Sequence, residues 1–192
     1  MTLPAQDNFN RADGALGSNW TGSVGADLMI DGQRVTGASA SYCAQYWSAG
    51  SPNEGQYAQC NFATASSGSY AAVFVRGNAS DFVMLLSDAN GGSWSVCWYN
   101  DDAWTQIGST YATGPADGDI GKITASGSNF EGFINGTSRI TGSNGSAPST
   151  GSGGLFMNTQ YSDWLDDFEV GNLSTAPVLT AVQHISHIDL DW

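Results

Sequence analysis

Carboxylates and aromatic rings are the side chains of this sequence best suited to chemistry. Hydrolysis of a sugar bond needs two carboxylates, one on each side of that bond. The glutamates are Glu54, Glu131 and Glu169. Glu54 stands in a Pro-Asn-Glu-Gly turn, and Glu131 has no second acid on its strand. Only Asp167 and Glu169 alternate so as to share a strand face, and few other features of a catalytic cleft accompany them. No serine sits in a nucleophile elbow and no cysteine has a histidine in recognisable context. The expectation is therefore a protein that is not an enzyme. His184 and His187 fall near the C-terminus with Asp189 and Asp191, where they read as polar residues of an extended tail. Cys43, Cys60 and Cys97 form no CxxC pair and read as small apolar residues in or near strands. Asp88, Asp101, Asp102, Asp117 and Asp119 in loops, and Asp7, Asp166 and Asp167 at a rim, offer the hard oxygen ligands that calcium takes. Structural calcium stays open beside the reading of these as turn aspartates. No other cofactor is expected.

The aromatic residues gather most densely in Trp94, Trp98, Tyr99 and Trp104. Rings exposed on a sheet can stack on sugars or anchor a partner, and buried ones fill a core. Trp94, Val96 and Trp98 share a face that reads as core, and Tyr99 takes the opposite face. Tyr99, Trp104 and Trp98 are the candidates for contact with a glycan or a partner.

The elements that must position these residues are strands. Ser69 to Arg76 and Asp81 to Ser87 are apolar on both faces, as strands covered on two sides would be. Ser93 to Tyr99 alternates, and Asn90-Gly91-Gly92 before it signals a hairpin. Further strands are expected at Trp104 to Ile107, Ile120 to Ala125, Phe130 to Ile134, Ser138 to Thr141 and Leu155 to Met157. Asn135-Gly136 fits a two-residue turn, and Asp31-Gly32 fits another between Met29-Ile30 and Arg34-Val35-Thr36. Gly142 to Gly154 reads as a flexible connection. No helical segment is expected. Short strands at regular spacing indicate an all-β, two-sheet antiparallel sandwich.

The opening run Asp7-Asn8-Phe9-Asn10-Arg11-Ala12-Asp13-Gly14-Ala15-Leu16-Gly17-Ser18-Asn19-Trp20 resembles the start of concanavalin A-like (laminin-G-like) jelly-roll domains of bacterial secreted proteins and phage virion proteins. The closing run Trp164 to Gly171 is similar to the last strand of that family. The resemblance covers about residues 5–172. It implies a jelly-roll sandwich and admits carbohydrate-binding modules, virion decoration and tail proteins, and some glycosidases, so it leaves function open. If the first and last strands pair, Phe9 and Phe168 would fill the core and Arg11 would lie against Asp7 or Asp166.

Charge narrows the partners. Eighteen acids face five bases for a net charge of −13, and Lys122 is the only lysine. Such a chain lacks the basic patch that nucleic acid or an anionic membrane would require. Met1 to Gln6 has neither a basic start nor an apolar run, so no export leader is expected. Residues 1–172 read as the jelly roll and 173–192 as an extended C-terminal tail. In that tail Val178, Leu179, Ile185, Ile188, Leu190 and Trp192 are candidates for assembly in trans or folding back in cis. The expected role is that of a phage capsid decoration or similar surface protein. It would be homo-oligomeric, in contact with capsid or tail subunits, and open to host cell-surface glycans. The alternatives are a free, extracellular carbohydrate-binding module or lectin, and third a glycoside hydrolase.

Overall fold

A computed structural model describes residues 4–39, 42–64, 70–158 and 163–174. Every regular element among them is a strand. In chain order these are β1 (Ala5–Asp7), β2 (Gly14–Ala15), β3 (Trp20–Gly25), β4 (Leu28–Asp31), β5 (Arg34–Gly37), β6 (Cys43–Trp47), β7 (Gln56–Thr64) and β8 (Tyr70–Gly77). They continue as β9 (Asp81–Asp88), β10 (Ser93–Asn100), β11 (Ala103–Tyr111), β12 (Asp119–Ser126), β13 (Asn129–Ile134), β14 (Thr137–Ser143), β15 (Ser152–Met157) and β16 (Trp164–Asn172). Two antiparallel sheets result. The nine-stranded sheet runs β14-β13-β12-β7-β16-β5-β4-β2, with β1 also on β16, and the seven-stranded sheet runs β11-β10-β9-β8-β15-β6-β3.

Alternation explains the layers. From β7, β12 and β16 the residues Ala58, Cys60, Phe62, Ile123, Ala125, Leu165, Phe168 and Val170 point inward. They meet Val73, Val75, Val83, Leu85, Trp94, Val96, Leu155 and Met157 from the facing sheet. Fully burying each large apolar side chain contributes about 1.5–3 kcal/mol. The seven-stranded sheet is packed on its outer side as well. There Ala72, Phe74, Phe82, Met84, Leu86, Cys97, Tyr99 and Phe156 form a second cluster, which is why 71–75 of β8 and 82–86 of β9 are apolar throughout.

Phe9 and Phe168 are both buried, as the sequence indicates, and β1 pairs with β16 through Asp7 opposite Phe168. Strand β1 ends at Asp7, however, and Phe9 enters the core from a left-handed turn (φ 51°) instead of from the strand. Arg11 holds Asp7 through two hydrogen bonds of 2.6 and 3.0 Å. Asp7 also accepts from the Trp20 indole at 2.8 Å and from the backbone of Phe9 at 3.0 Å.

Three expectations are corrected in detail. The turn between β4 and β5 is Gly32-Gln33, both at positive φ (57° and 65°), with Asp31 paired to Arg34. The supposed flexible stretch 142–154 is strand at both ends, since Gly142 and Ser143 belong to β14 and Ser152, Gly153 and Gly154 to β15. Strand β7 was not expected at all, yet it lies at the centre of its sheet between β12 and β16. A clasp spans one end of the sandwich. The Arg76 guanidinium, 1 % exposed, donates to the carbonyls of Pro148 (3.0 Å) and Glu54 (2.9 Å) and lies 5.2 Å from the Phe130 ring centroid. Gln56 completes it, accepting from the Arg76 backbone at 3.0 Å and donating to the carbonyls of Asn53 and Gly151.

Candidate glycan-binding face

The outer cluster of the seven-stranded sheet is a stack of rings. Phe74 stacks on Phe82 (centroids 4.4 Å, planes 20° apart), and Phe82 stacks on its cross-strand partner Tyr99 (4.9 Å, 8°). Over this floor lie half-buried Tyr42, Tyr46, Tyr70, Trp104 and Val24. Tyr42 touches Trp104 at 5.8 Å and Phe156 at 5.5 Å, and Tyr70 meets Trp104 at 5.9 Å. Offset and edge-on packing of this kind adds about 0.5–1.5 kcal/mol per pair beyond burial. The floor is therefore rigid, and the tier above it presents partly open rings.

At one end of the tier lies a depression of about 460 Å³, lined by Ser23, Val24, Gly25, Tyr42, Ala79, Ser80, Tyr99, Asp101 and Asp102. Its walls come from four separate segments that hydrogen bonds tie together. The Ser23 hydroxyl donates to the Asn78 carbonyl at 2.5 Å, Asp101 N–H to the Ser80 carbonyl at 3.2 Å, and Ala26 N–H to the Tyr42 carbonyl at 2.9 Å. Gly25, at φ 68°, permits the last of these, because a Cβ there would stand 1.9 Å from the Tyr42 oxygen. Asp101 and Asp102 make the two-residue turn from β10 to β11, both left-handed (φ 41° and 69°). A two-residue hairpin turn of this type requires φ above zero at both central residues, and aspartate tolerates it. The Tyr99 hydroxyl donates to Asp102 at 2.5 Å. Burial and then this bond raise the Tyr99 pKa, so the phenol stays a donor.

The three ring candidates separate. Tyr99 and Trp104 are cross-strand partners in the same cluster, 6.1 Å apart and edge-on. Tyr99 is only 1 % exposed, so a stacking role for its ring face is corrected to one of support, with its hydroxyl at the rim. Trp104 is half-buried and presents part of its surface. Trp98 lies on the other side of the sheet against the inter-sheet core, where its indole donates to Asp81. Burial raises the Asp81 carboxyl above the usual carboxylate range, with Asp101 adding to the rise and the indole bond opposing it. Trp94 and Val96 are fully buried, as their shared face suggests. Tyr42, Ser23 and Val24 carried no such signal, because β3 and β6 join this sheet only through the non-local pairing of β6 with β15 and of β15 with β8.

Asp167 and Glu169 do border one depression, of about 250 Å³, with Gln6, Asp7, Asn8 and Gln59. It lies on the outer side of the nine-stranded sheet, across the sandwich from the ring tier. Both Glu169 oxygens are engaged, by the Tyr57 hydroxyl and the Gln6 amide, each at 2.5 Å. A larger groove of about 640 Å³ on the same side contains Lys122, Thr124, Glu131, Phe133 and Thr141, with a single half-exposed ring, Phe133.

At the rim Asp7 spends its oxygens on Arg11, Trp20 and Phe9, and among the described residues no three His, Cys, Asp or Glu side chains converge. Asp88 and Asp119 accept backbone N–H groups within their turns. The three cysteines are buried and unlinked. Val178, Leu179, Ile185, Ile188, Leu190 and Trp192 lie outside the described residues, as do His184 and His187.

No family model and no curated protein matches the sequence. Solved structures do match the fold. The carbohydrate-binding module CBM66 from Bacillus subtilis superposes with a TM-score of 0.62 at 17% identity, over 82% of this chain and 95% of that one. A β-glucanase of Bacillus licheniformis gives 0.59 at 7% identity, over 88% and 98%. LamAcat from Zobellia galactanivorans gives 0.55 at 12%, over 88% and 95%. At such identities the likeness speaks for architecture alone. The chain thus has the antiparallel two-sheet jelly roll of the concanavalin A-like lectin and glucanase fold.

Proposed function

We propose that the chain is a non-enzymatic, lectin-like sandwich that holds a glycan at the ring tier of its seven-stranded sheet. One observation carries the reading: Tyr42 and the Asp101-Asp102 turn enclose a depression beside half-open Trp104. Flat apolar rings cover the axial faces of a sugar, and carboxylates and hydroxyls at the edge accept and donate to its hydroxyls. The fold's carbohydrate-binding neighbour supports this reading. The setting proposed is a phage virion surface, with neighbouring capsid or tail subunits as partners and self-association as a homo-oligomer. Its support is the resemblance of Asp7 to Trp20 to jelly rolls found in phage virion proteins as well as in bacterial secreted ones, together with the acidic charge.

Calorimetric titration with a panel of soluble polysaccharides tests the binding site. At least one glycan should bind, and Tyr42→Ala or Trp104→Ala should weaken it about tenfold, near 1.4 kcal/mol. Binding unaffected by both substitutions would remove the site from this face. A hydrolase reading has one observation in its favour, the shared depression of Asp167 and Glu169. Release of reducing ends by the wild type, abolished in Glu169→Gln, would establish that reading instead.

A further inference from the structure

We propose that the depression between Tyr42 and the Asp101-Asp102 turn selects a sugar carrying a free ammonium group, that is, an unacetylated amino sugar. This rests on the reading of the same depression as a sugar site and adds the class of sugar.

The argument begins with what lines the depression. Its ionisable groups are the two aspartates and the phenols of Tyr42 and Tyr99, and no Lys, Arg or His lines it among the described residues. The five cations stand elsewhere. Arg11 is on Asp7, Arg34 over Trp164, Arg76 in the clasp, Arg139 over Tyr111 and Lys122 over Tyr57. Neither aspartate forms a salt bridge with a described residue. The Tyr99 hydroxyl occupies one oxygen of Asp102 and leaves the other open. The Asp101 carboxylate accepts no hydrogen bond from a described residue, while its own backbone N–H is fixed to Ser80.

A neutral sugar offers hydroxyl donors to these oxygens. An ammonium offers three N–H donors and a full charge, and charge-assisted bonds are about twice as strong as neutral ones. The Tyr42 ring adds a second attraction, since a cation within about 6 Å of an aromatic face gains roughly 0.5–1 kcal/mol at an exposed site. Ring and carboxylates therefore favour the same substituent. N-acetylation removes the charge and adds bulk, so it opposes both. The net charge of −13 steers cationic glycans toward the molecule from any side. Local and diffuse attraction must therefore be separated experimentally.

The test compares three ligands of equal length on the full chain at slightly acidic pH: a glucosamine oligomer, its N-acetylated counterpart and a neutral glucan. The glucosamine oligomer should bind about tenfold more tightly than either of the others. The double variant Asp101→Asn, Asp102→Asn should lose that preference. Asparagine accepts left-handed backbone readily, so the turn should survive, and an unchanged near-UV dichroism spectrum would check this. Glu131→Gln, one carboxylate removed on the opposite side of the sandwich, should keep the preference. Equal binding of the N-acetylated oligomer or the glucan overturns the ammonium inference and leaves the sugar site standing. Loss of preference in Glu131→Gln reduces the effect to diffuse charge and overturns it too. A lysine-rich peptide that binds as tightly, with the same dependence on Asp101 and Asp102, makes the ligand a protein and overturns it. Absence of binding to all three oligomers counts against this inference, and failure across the wider polysaccharide panel would bring down the sugar reading as well.

Discussion

Asp7 and Asp166 sit near each other at the rim where β1 meets β16, the first ringed by donors and the second half-buried beside another acid. Asp7 receives two guanidinium bonds, an indole and a backbone N–H. The Asp166 carboxyl lies above its ordinary pKa, first because burial penalises its charge, and then because Asp167 and Asp7 repel it. A backbone bond from Asp167 and the charge of Arg34 only partly offset this. A carboxyl whose folded pKa is raised costs stability once pH climbs through its unfolded value, because the unfolded chain ionises more easily. Asp166→Asn keeps an acceptor for the Asp167 N–H and removes the charge. It should melt higher than wild type at pH 7, and the gap should close as pH falls below the normal carboxylate range. Equal melting at both pH values would show that Asp166 is ionised without cost. The Arg11–Asp7 contact was legible in the sequence because spacing along one short segment limited the choices. The position of Tyr42 was not, because nothing local links it to the β10–β11 turn.

Strands declared themselves where both neighbours in sequence were apolar or where a turn signal stood between them. The hairpin at Asn135-Gly136 has the expected left-handed pair (φ 50° and 74°), and β8, β9 and β10 fall within one residue of their expected limits. Strand β7 escaped notice because its inward set begins with the small residues Ala58 and Cys60, while Tyr57, Gln59 and Asn61 point outward among polar neighbours. Its burial comes from strands distant in sequence, β12 and β16. A second non-local device closes the sandwich at the edge where β11 approaches β14. Gly108 holds φ 75°, and a Cβ there would stand 2.3 Å from the Thr141 carbonyl. Gly108→Val adds a β-branched side chain at a left-handed position and a backbone clash. It should lower stability by roughly 2–4 kcal/mol in urea titration. A loss below about 0.5 kcal/mol would mean that the two edges are not held together.

The molecule as a whole is asymmetric between its two sheets. Among the described residues the nine-stranded sheet is packed on one side and mostly polar on the other, whereas the seven-stranded sheet is packed on both. The thiols report on this. Cys43 lies in the core on the seven-stranded side, Cys60 on the nine-stranded side, and Cys97 in the outer ring cluster. Burial pushes the Cys97 thiol up to about 11, and drives Cys60 well above the ordinary thiol range with Asp166 adding to the effect. A disulfide reagent at pH 7 should therefore leave all three unmodified in the native state, and labelling should follow the unfolding transition in urea. Rapid modification of Cys97 alone would mean that the ring cluster opens without global unfolding. The arginine clasp has a different consequence, one for tolerance to sequence change. Arg76 and Gln56 seize carbonyl oxygens of Asn53, Glu54, Pro148 and Gly151, and every amino acid supplies a carbonyl. The loops they hold are thus gripped mainly through their backbone, with Ala147 packed on the core, so their exposed side chains can be randomised as a display surface while the two clasp residues and Ala147 keep the frame.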